Sequence, residues 1–170
     1  MRKFISSYSK AMLFSSILLT IVVLLGIYLV SLKMVNNPIC SYSFVVALVA
    51  LSVLVITFIY AFVSQIEYIG ITEERFVIKK KLGQISFPRT DIISVRYKKS
   101  IMSDVRIFGI SGLFGHIGLF WNSQVGRYHA FVNNGNSMLE IRTTKHNYVV
   151  SCNEFQSVLE ILTSNISNSR

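Results

Sequence analysis

The chain carries few side chains that could do chemistry, and their spacing favours neither a catalytic nor a metal site. The three histidines, His116, His129 and His146, lie in different segments, and no Cys, Asp or Glu stands beside them at metal-ligand spacing. The eight acidic residues are scattered, so no paired-carboxylate or Ser-His-Asp arrangement is indicated. We therefore predict a protein that is not an enzyme and has no cofactor or metal, although spacing leaves open a site assembled in three dimensions.

The two cysteines, Cys40 and Cys152, are too few for a disulfide framework or a zinc site. Two apolar runs in residues 1–63 predict a membrane hairpin that places Cys40 at its outer end and Cys152 in the cytosol. On opposite sides of a membrane the two cysteines cannot pair within one chain. Each is therefore expected to act as a small buried or interfacial hydrophobic residue.

Six basic residues form a second candidate set, called the basic cluster here. They are Lys79, Lys80, Lys81, Arg96, Lys98 and Lys99, on or between neighbouring predicted strands. Facing an anionic leaflet, such residues gain about 1 kcal/mol each, so anionic lipids are one predicted partner. The alternative is that these charges only keep the sheet soluble and orient it.

The formal net charge of +9 is also typical of nucleic-acid-binding proteins. Four of the basic residues flank two apolar segments, however, and no nucleic-acid-binding motif is present. We predict no nucleic-acid partner.

Two apolar runs without charged residues determine where the rest of the chain lies. They extend from Ala11 to Leu32 and from Ser43 to Val63, separated by about ten residues, and residues 1–63 contain no Asp or Glu. As a helix each run reaches roughly 30 Å, the thickness of the hydrocarbon core of a bilayer. This pattern predicts a transmembrane helical hairpin. A cleaved signal is disfavoured because the first run is too long and no small-x-small site follows it.

Basic residues near the ends of the runs predict the orientation. Arg2, Lys3 and Lys10 precede the first run, whereas Lys33 is the only charge in the connecting loop. Arg75 and the lysines at 79–81 follow the second run. The positive-inside rule therefore places both termini in the cytoplasm.

The sequence of residues 64–170 predicts one β-rich domain with a C-terminal helix. Alternation of apolar and polar residues predicts an antiparallel meander, with strands near 75–79, 84–87, 93–97, 127–131, 138–142 and 148–150. Ile93, Val95 and Tyr97 are expected on one side of their strand. Ser151 and Glu154 have the spacing of a capping box, and a helical apolar stripe follows at Phe155, Val158, Leu159, Leu162 and Ile166.

The segment from Arg106 to Trp121 has an unusual pattern and is called the glycine stretch. Its candidate structural or partner-binding residues are Arg106, Phe108, Gly109, Gly112, Leu113, Phe114, Gly115, His116 and Gly118. It fits neither a phosphate-binding loop nor a dinucleotide fingerprint. We interpret it as a bulged or sharply turning strand pair. The alternative is an exposed apolar loop that touches lipid or a partner.

The glycine stretch, R-I-F-G-I-S-G-L-F-G-H-I-G from Arg106, resembles the R-x-F-G-x-x-G-L-F-G-x-x-G segment of membrane-anchored bacterial pleckstrin-homology (PH)-like proteins. The segment from Glu140 to Ser151 is similar to that family's x-I-x-T-x-x-x-x-Y-x-x-S. The likeness spans about residues 67–163, although Cys152-Asn153 replaces a pair that often contains proline and acidic residues. It implies a bent antiparallel β-sandwich or partial barrel of about seven strands, capped by the C-terminal helix, and no known enzymatic activity.

Together these features predict a protein of the bacterial inner membrane with two spans, cytoplasmic termini and a PH-like interaction module that binds a protein partner. The glycine stretch is expected on the free face of the domain, away from the membrane. Recognition of anionic head groups by the basic cluster, a role as accessory subunit of a larger membrane complex, and homo-oligomer formation remain alternatives.

Overall fold

The computed structural model describes residues 1–36, 42–112 and 115–168. Two long helices follow a short strand, and nine further strands, a short 3-10 helix (Arg89–Asp91) and a last helix lie in the rest of the described chain. The elements are β1 (Arg2–Ile5), α1 (Lys10–Asn36), α2 (Tyr42–Val63), β2 (Ile66–Ile71), β3 (Arg75–Lys80), β4 (Gln84–Pro88), β5 (Ile92–Lys98), β6 (Val105–Ser111), β7 (His116–Asn122), β8 (Gly126–Val132), β9 (Met138–Thr143), β10 (Asn147–Ser151) and α3 (Phe155–Asn168).

Helices α1 and α2 are long and apolar enough to cross a membrane. The candidate spans are Lys10–Leu32 and Val45–Val63, with mean hydropathies of 2.6 and 2.8. Only 6% of each span is buried within the protein, so neither is the core helix of a soluble domain. Their bounds agree with the predicted runs. Cys40 lies outside the described residues.

The strands form two sheets that enclose the main core together with α3. One sheet has the antiparallel order β1-β2-β3-β4, and the other has the order β5-β9-β10-β8-β7-β6. Phe76, Ile78, Ile117 and Leu139 are fully buried in this core, and Val158 and Leu162 of α3 complete it. The predicted fold class, two helices followed by a β-rich PH-like domain with a C-terminal helix, is confirmed.

The six-stranded sheet is not a simple meander. Strand β10 lies between β9 and β8, antiparallel to β9 and parallel to β8. Two strand spacings of about 4.8 Å separate β8 from β9, a distance that the five-residue connection between them spans easily. Alternation in the sequence marks each strand but carries no signal for which strand lies beside it.

Strand β1 is an element that the sequence pattern did not predict. It pairs antiparallel with β2, from Arg2 opposite Ile71 to Ile5 opposite Tyr68, and Phe4 is buried in the main core. Residues 6–9 connect β1 to α1, and residues 64–65 connect α2 to β2. A domain boundary at residue 63 therefore leaves out one strand of the domain, and the helices extend from two neighbouring strands of one sheet.

A bulge in β5 changes which of its side chains face the core. The register with β9 shifts between Ile92 and Ser94, so Ile92 and Val95 are buried whereas Ile93 is 53% exposed. The prediction that Ile93 shares a buried side with Val95 is wrong, because one additional residue in a strand reverses the alternation.

Ser151 does not cap α3, so the predicted capping box is wrong. It ends β10, and its buried hydroxyl accepts hydrogen bonds from the backbone N–H groups of Asn133 (2.8 Å) and Asn134 (3.2 Å). The Ser151 hydroxyl also forms a hydrogen bond with the Ser6 hydroxyl, with the two oxygens 3.1 Å apart. The residue thus ties the turn after β8 to the segment that leads into α1.

Replacing Ser151 with alanine is expected to lower the free energy of unfolding by about 1–3 kcal/mol, because a buried N–H group loses its acceptor. Thermal and urea unfolding of the full chain in detergent micelles, followed by the fluorescence of the single tryptophan, measures the change. The exposed Ser123→Ala is the control, with a shift within about 0.5 kcal/mol. Equal stability of both variants would contradict the role given to Ser151.

Candidate functional site

Three lysines of the basic cluster lie beside the end of α2. The backbone N–H of Lys81 donates to the Gln65 carbonyl at 2.9 Å, and that of Leu82 donates to the Val63 carbonyl at 3.0 Å. These bonds attach the turn after β3 to the last residue of α2 and to the segment that follows it. Lys79, Lys80 and Lys81 are therefore close to the end of an apolar helix, as the sequence predicted.

Two of these ammonium groups lie over aromatic rings. Lys81 Nζ is 3.4 Å from the ring centroid of Phe62 in the last turn of α2, and Lys80 Nζ is 5.4 Å from that of Phe131. Burial lowers the pKa of Lys81, and the negative charge of Glu67 acts in the opposite direction. A partly desolvated cation at this position attracts an anion more strongly than a fully hydrated one.

The other three members of the basic cluster belong to the six-stranded sheet. Arg96 and Lys99 are exposed at the end of β5, whereas Lys98 points inward. Its Nζ forms an ion pair with Asp104 Oδ2 at 2.8 Å, and the two side chains are 9% and 0% exposed. The cluster is thus divided between two sheets, and the charge of Lys98 is already compensated.

Asp104 receives hydrogen bonds from four side chains. Besides Lys98, the Tyr128 hydroxyl donates to Oδ2 at 2.5 Å, and Asn122 Nδ2 and Ser103 Oγ (3.4 Å) donate to Oδ1. Burial alone would raise the pKa of Asp104, but the hydrogen bonds outweigh it, so the pKa lies below its usual value. Burial, together with this carboxylate, raises the pKa of Tyr128. Every donor is thus matched to one ionised acceptor, which is the pattern of a structural site.

The glycine stretch forms the hairpin of β6 and β7, and the interpretation as a bulged strand pair is confirmed. The register shifts between Arg106 and Phe108. Gly109 and Gly118 face each other at φ 121° and 133°, and a Cβ on Gly109 would lie 2.2 Å from the Ile117 carbonyl oxygen. The two backbones approach more closely than a side chain allows. Leu113 and Phe114 lie outside the described residues.

This hairpin lies beside the long helices, not on the face away from them as predicted. Ser15 Oγ of α1 donates to the Gly112 carbonyl at 2.8 Å. A groove of about 640 Å³ separates α2, at Ile56 and Tyr60, from the segment 106–110 of β6. Local sequence carries no signal for this placement, because it depends on contacts between the hairpin and the distant helices α1 and α2.

His116 is a structural residue of this hairpin. It is buried, and its Nδ1 is 2.7 Å from Ser111 Oγ on the opposite strand. Burial lowers the pKa of His116, so the neutral ring is favoured.

One face of strands β6 to β8 carries exposed apolar and basic side chains. Val105, Trp121 and Arg127 lie directly opposite one another in adjacent strands, and Phe108, Leu119 and His129 form the next row. Val105 is 56% exposed and Trp121 is 43% exposed. We call these six residues the β6–β8 face. Tryptophan and arginine are enriched where proteins bind one another.

A family model described as bacterial PH domain matches residues 67–166, well over half of the chain. The chain belongs to the bacterial PH domain family. Comparisons with curated proteins and with solved structures give no match. The matched segment begins within β2, so β1 lies outside it although β1 completes a sheet of the PH domain.

PH domains are generally non-catalytic, and the described part of this PH domain offers no metal-binding group of three or more His, Cys, Asp or Glu side chains. The rings of His129 and His146 lie 5.9 Å apart. Burial, together with the charges of His146 and Lys80, lowers the pKa of His129. Cys152 is buried in the main core, and burial, with Glu154, raises its pKa to about 12, so its thiol is unreactive.

Sequence reasoning missed Gln65, which is fully buried between the helices and the PH domain. Its Oε1 accepts a hydrogen bond from the Tyr8 hydroxyl, whereas its Nε2 has no partner among the described residues. An unpaired buried donor costs about 1–3 kcal/mol. The sequence feature that could have indicated a role for Gln65 is its position, since it is a polar residue between an apolar run and a strand.

Proposed function

We propose that this protein is a non-catalytic integral membrane protein that crosses the membrane twice and presents its PH domain at the cytoplasmic face as a protein-binding module. The pairing of β1 with β2 carries the proposal. These strands precede α1 and follow α2, so they can pair only if both lie on the same side of the membrane. This supports two crossings, and the basic residues near the ends favour the cytoplasmic side.

The β6–β8 face is the surface that best fits a protein partner. It begins beside α2 at Phe108 and continues to Arg127, so it combines exposed aromatic and aliphatic side chains with one cation. Exposed apolar side chains that lie together often mark a binding surface, and Val105, Phe108 and Trp121 are each more than 40% exposed.

Site-specific photo-crosslinking in native membranes tests the proposal. A photoreactive amino acid replaces Val105, and the matched control replaces Ile93, which is similarly exposed on the opposite edge strand. We expect one protein adduct from position 105, weakened when Trp121 is also changed to serine, and none from position 93. Adducts to the chain itself or to lipid alone from position 105 would contradict a separate protein partner.

Recognition of anionic head groups by the basic cluster is a second candidate. The placement of Lys79, Lys80 and Lys81 beside the end of α2 favours it, because head groups lie at that level if α2 crosses the membrane. A role as accessory subunit of a larger membrane complex would instead use the exposed sides of α1 and α2, and the same cross-linking would recover the larger complex.

A further inference from the structure

A groove of about 360 Å³ lies where α1, α2 and the turn after β3 meet. Its lining includes Leu13, Ile17, Ile21, Phe62, Gln65 and Lys81. The volume is within the range of about 300–1,000 Å³ that is usual for small-molecule sites. This groove is separate from the β6–β8 face and from the groove beside β6.

One end of the groove is polar and holds unmatched donors. Gln65 is 0% exposed and its Nε2 has no hydrogen-bond partner in the described chain. Lys81 Nζ lies over the Phe62 ring and forms no ion pair with a described acidic residue. Among the described residues that line the groove none is acidic, so this end is complementary to an anion.

The other end of the groove is apolar. Leu13, Ile17 and Ile21 recur every four residues and form one stripe along α1 that covers about 12 Å of the helix. Each of these side chains is about half exposed, at 48%, 59% and 56%. An extended acyl chain fits such a stripe in shape and polarity.

The order of the two ends follows the direction of the helices. Gln65 and Lys81 adjoin the end of α2, whereas the apolar stripe extends into the first three turns of α1. If both helices cross the membrane, the cations lie at the level of lipid phosphates and the stripe lies among the acyl chains. This step rests on the two membrane crossings of the proposed function.

We propose that this groove binds one anionic phospholipid, with the phosphate held by Lys81 and the Gln65 amide and one acyl chain along Leu13, Ile17 and Ile21. The lipid supplies the acceptor that the buried amide lacks. It also fills the space between the helices and the PH domain, and so becomes part of the contact between them.

Native mass spectrometry of the full-length protein, released from bilayer discs of equal amounts of phosphatidylglycerol and phosphatidylcholine, tests the site. We expect one retained phosphatidylglycerol per chain. Lys81→Gln removes the cation and is expected to lower the retained fraction about tenfold or more. Lys145→Gln, which removes an exposed cation outside both the groove and the basic cluster, is the matched control and should retain the lipid.

A second pair of variants tests the apolar end without changing charge. Ile17→Trp fills the groove and is expected to abolish retention. Leu18→Trp places the same ring at the next position of α1, outside the lining, and should leave retention unchanged. Unchanged thermal unfolding of all four variants in detergent, after the lipid has been removed, shows that a loss of lipid is not a loss of fold.

Several results would overturn the inference. Equal losses in Lys145→Gln and Lys81→Gln would indicate unspecific surface charge. Displacement of the lipid by soluble glycerol phosphate would indicate that the groove binds a small anion. Retention of a free fatty acid in place of the phospholipid would indicate that it binds another amphiphile. A dimer that Ile17→Trp disrupts would indicate that a second copy of the chain occupies the groove. Extraction of the chain from membranes by alkaline carbonate would refute the proposed function, whereas a membrane-embedded chain without retained lipid would refute this inference alone.

Discussion

Replacing Phe4 with alanine is expected to lower the free energy of unfolding by about 3–5 kcal/mol, because the change removes a buried aromatic ring and leaves a cavity. Phe4 is 6% exposed and packs into the main core from β1. A loss of this size shows that β1 is an integral strand of the PH domain, although the matched family segment begins only at Glu67.

Ile5→Ala is the matched control on the same strand, since Ile5 is 66% exposed and pairs with Tyr68 in the same ladder. Its effect should stay within about 0.5 kcal/mol. Urea unfolding of the full chain in detergent micelles, followed by Trp121 fluorescence, compares the two variants. Equal and small effects at both positions would mean that β1 does not contribute to the core.

The second large effect is expected at Asp104. Asp104→Asn leaves the Lys98 ammonium without a counter-ion in a site where both side chains are almost inaccessible, and breaking such a pair costs about 3–5 kcal/mol. Glu160→Gln, which removes an exposed carboxylate from α3, is the control and should change stability by less than about 0.5 kcal/mol. Adding Lys98→Met to Asp104→Asn should recover part of the loss, because it removes the unpaired cation.

The free energy of unfolding measured at acid pH is an independent test of the role of Asp104. Its pKa in the folded protein lies below the usual 3.8, so its ionisation stabilises the fold above about pH 4. That contribution is lost as the pH falls through the folded-state pKa. The unsubstituted protein should therefore lose stability over this range, and Asp104→Asn should lose less. Parallel curves for the two proteins would contradict the role of the carboxylate.

The sequence predicted the elements of this protein better than the relations between them. Composition marked both long helices to within a few residues, because a charge-free run of about twenty residues has few alternatives. Alternation located most strands of the PH domain. The insertion of β10 between β8 and β9, the bulge at Ile93 and the pairing of β1 depend on contacts between distant residues, which no local pattern encodes.

In the candidate sites, too, the sequence predicted some features, whereas others depend on contacts between distant residues. The position of Lys81 near the end of α2 followed from chain order alone. The inward direction of Lys98 could not, because it depends on Asp104, Tyr128 and Asn122, which later strands and loops bring to the same point. Gln65 became significant only when its unpaired amide and the neighbouring apolar stripe were seen together.

The pairing of β1 with β2 also determines the order in which this protein can be completed. Arg2 is synthesised first, but its partner Ile71 follows only after both apolar helices. If both helices cross the membrane as proposed, the first strand must remain unpaired while they are inserted, and the sheet closes when β2 emerges on the same side. Closure of the PH domain would then depend on insertion of the complete helical pair, and a chain in which one helix failed to insert would leave β1 and β2 on opposite sides and its domain one strand short.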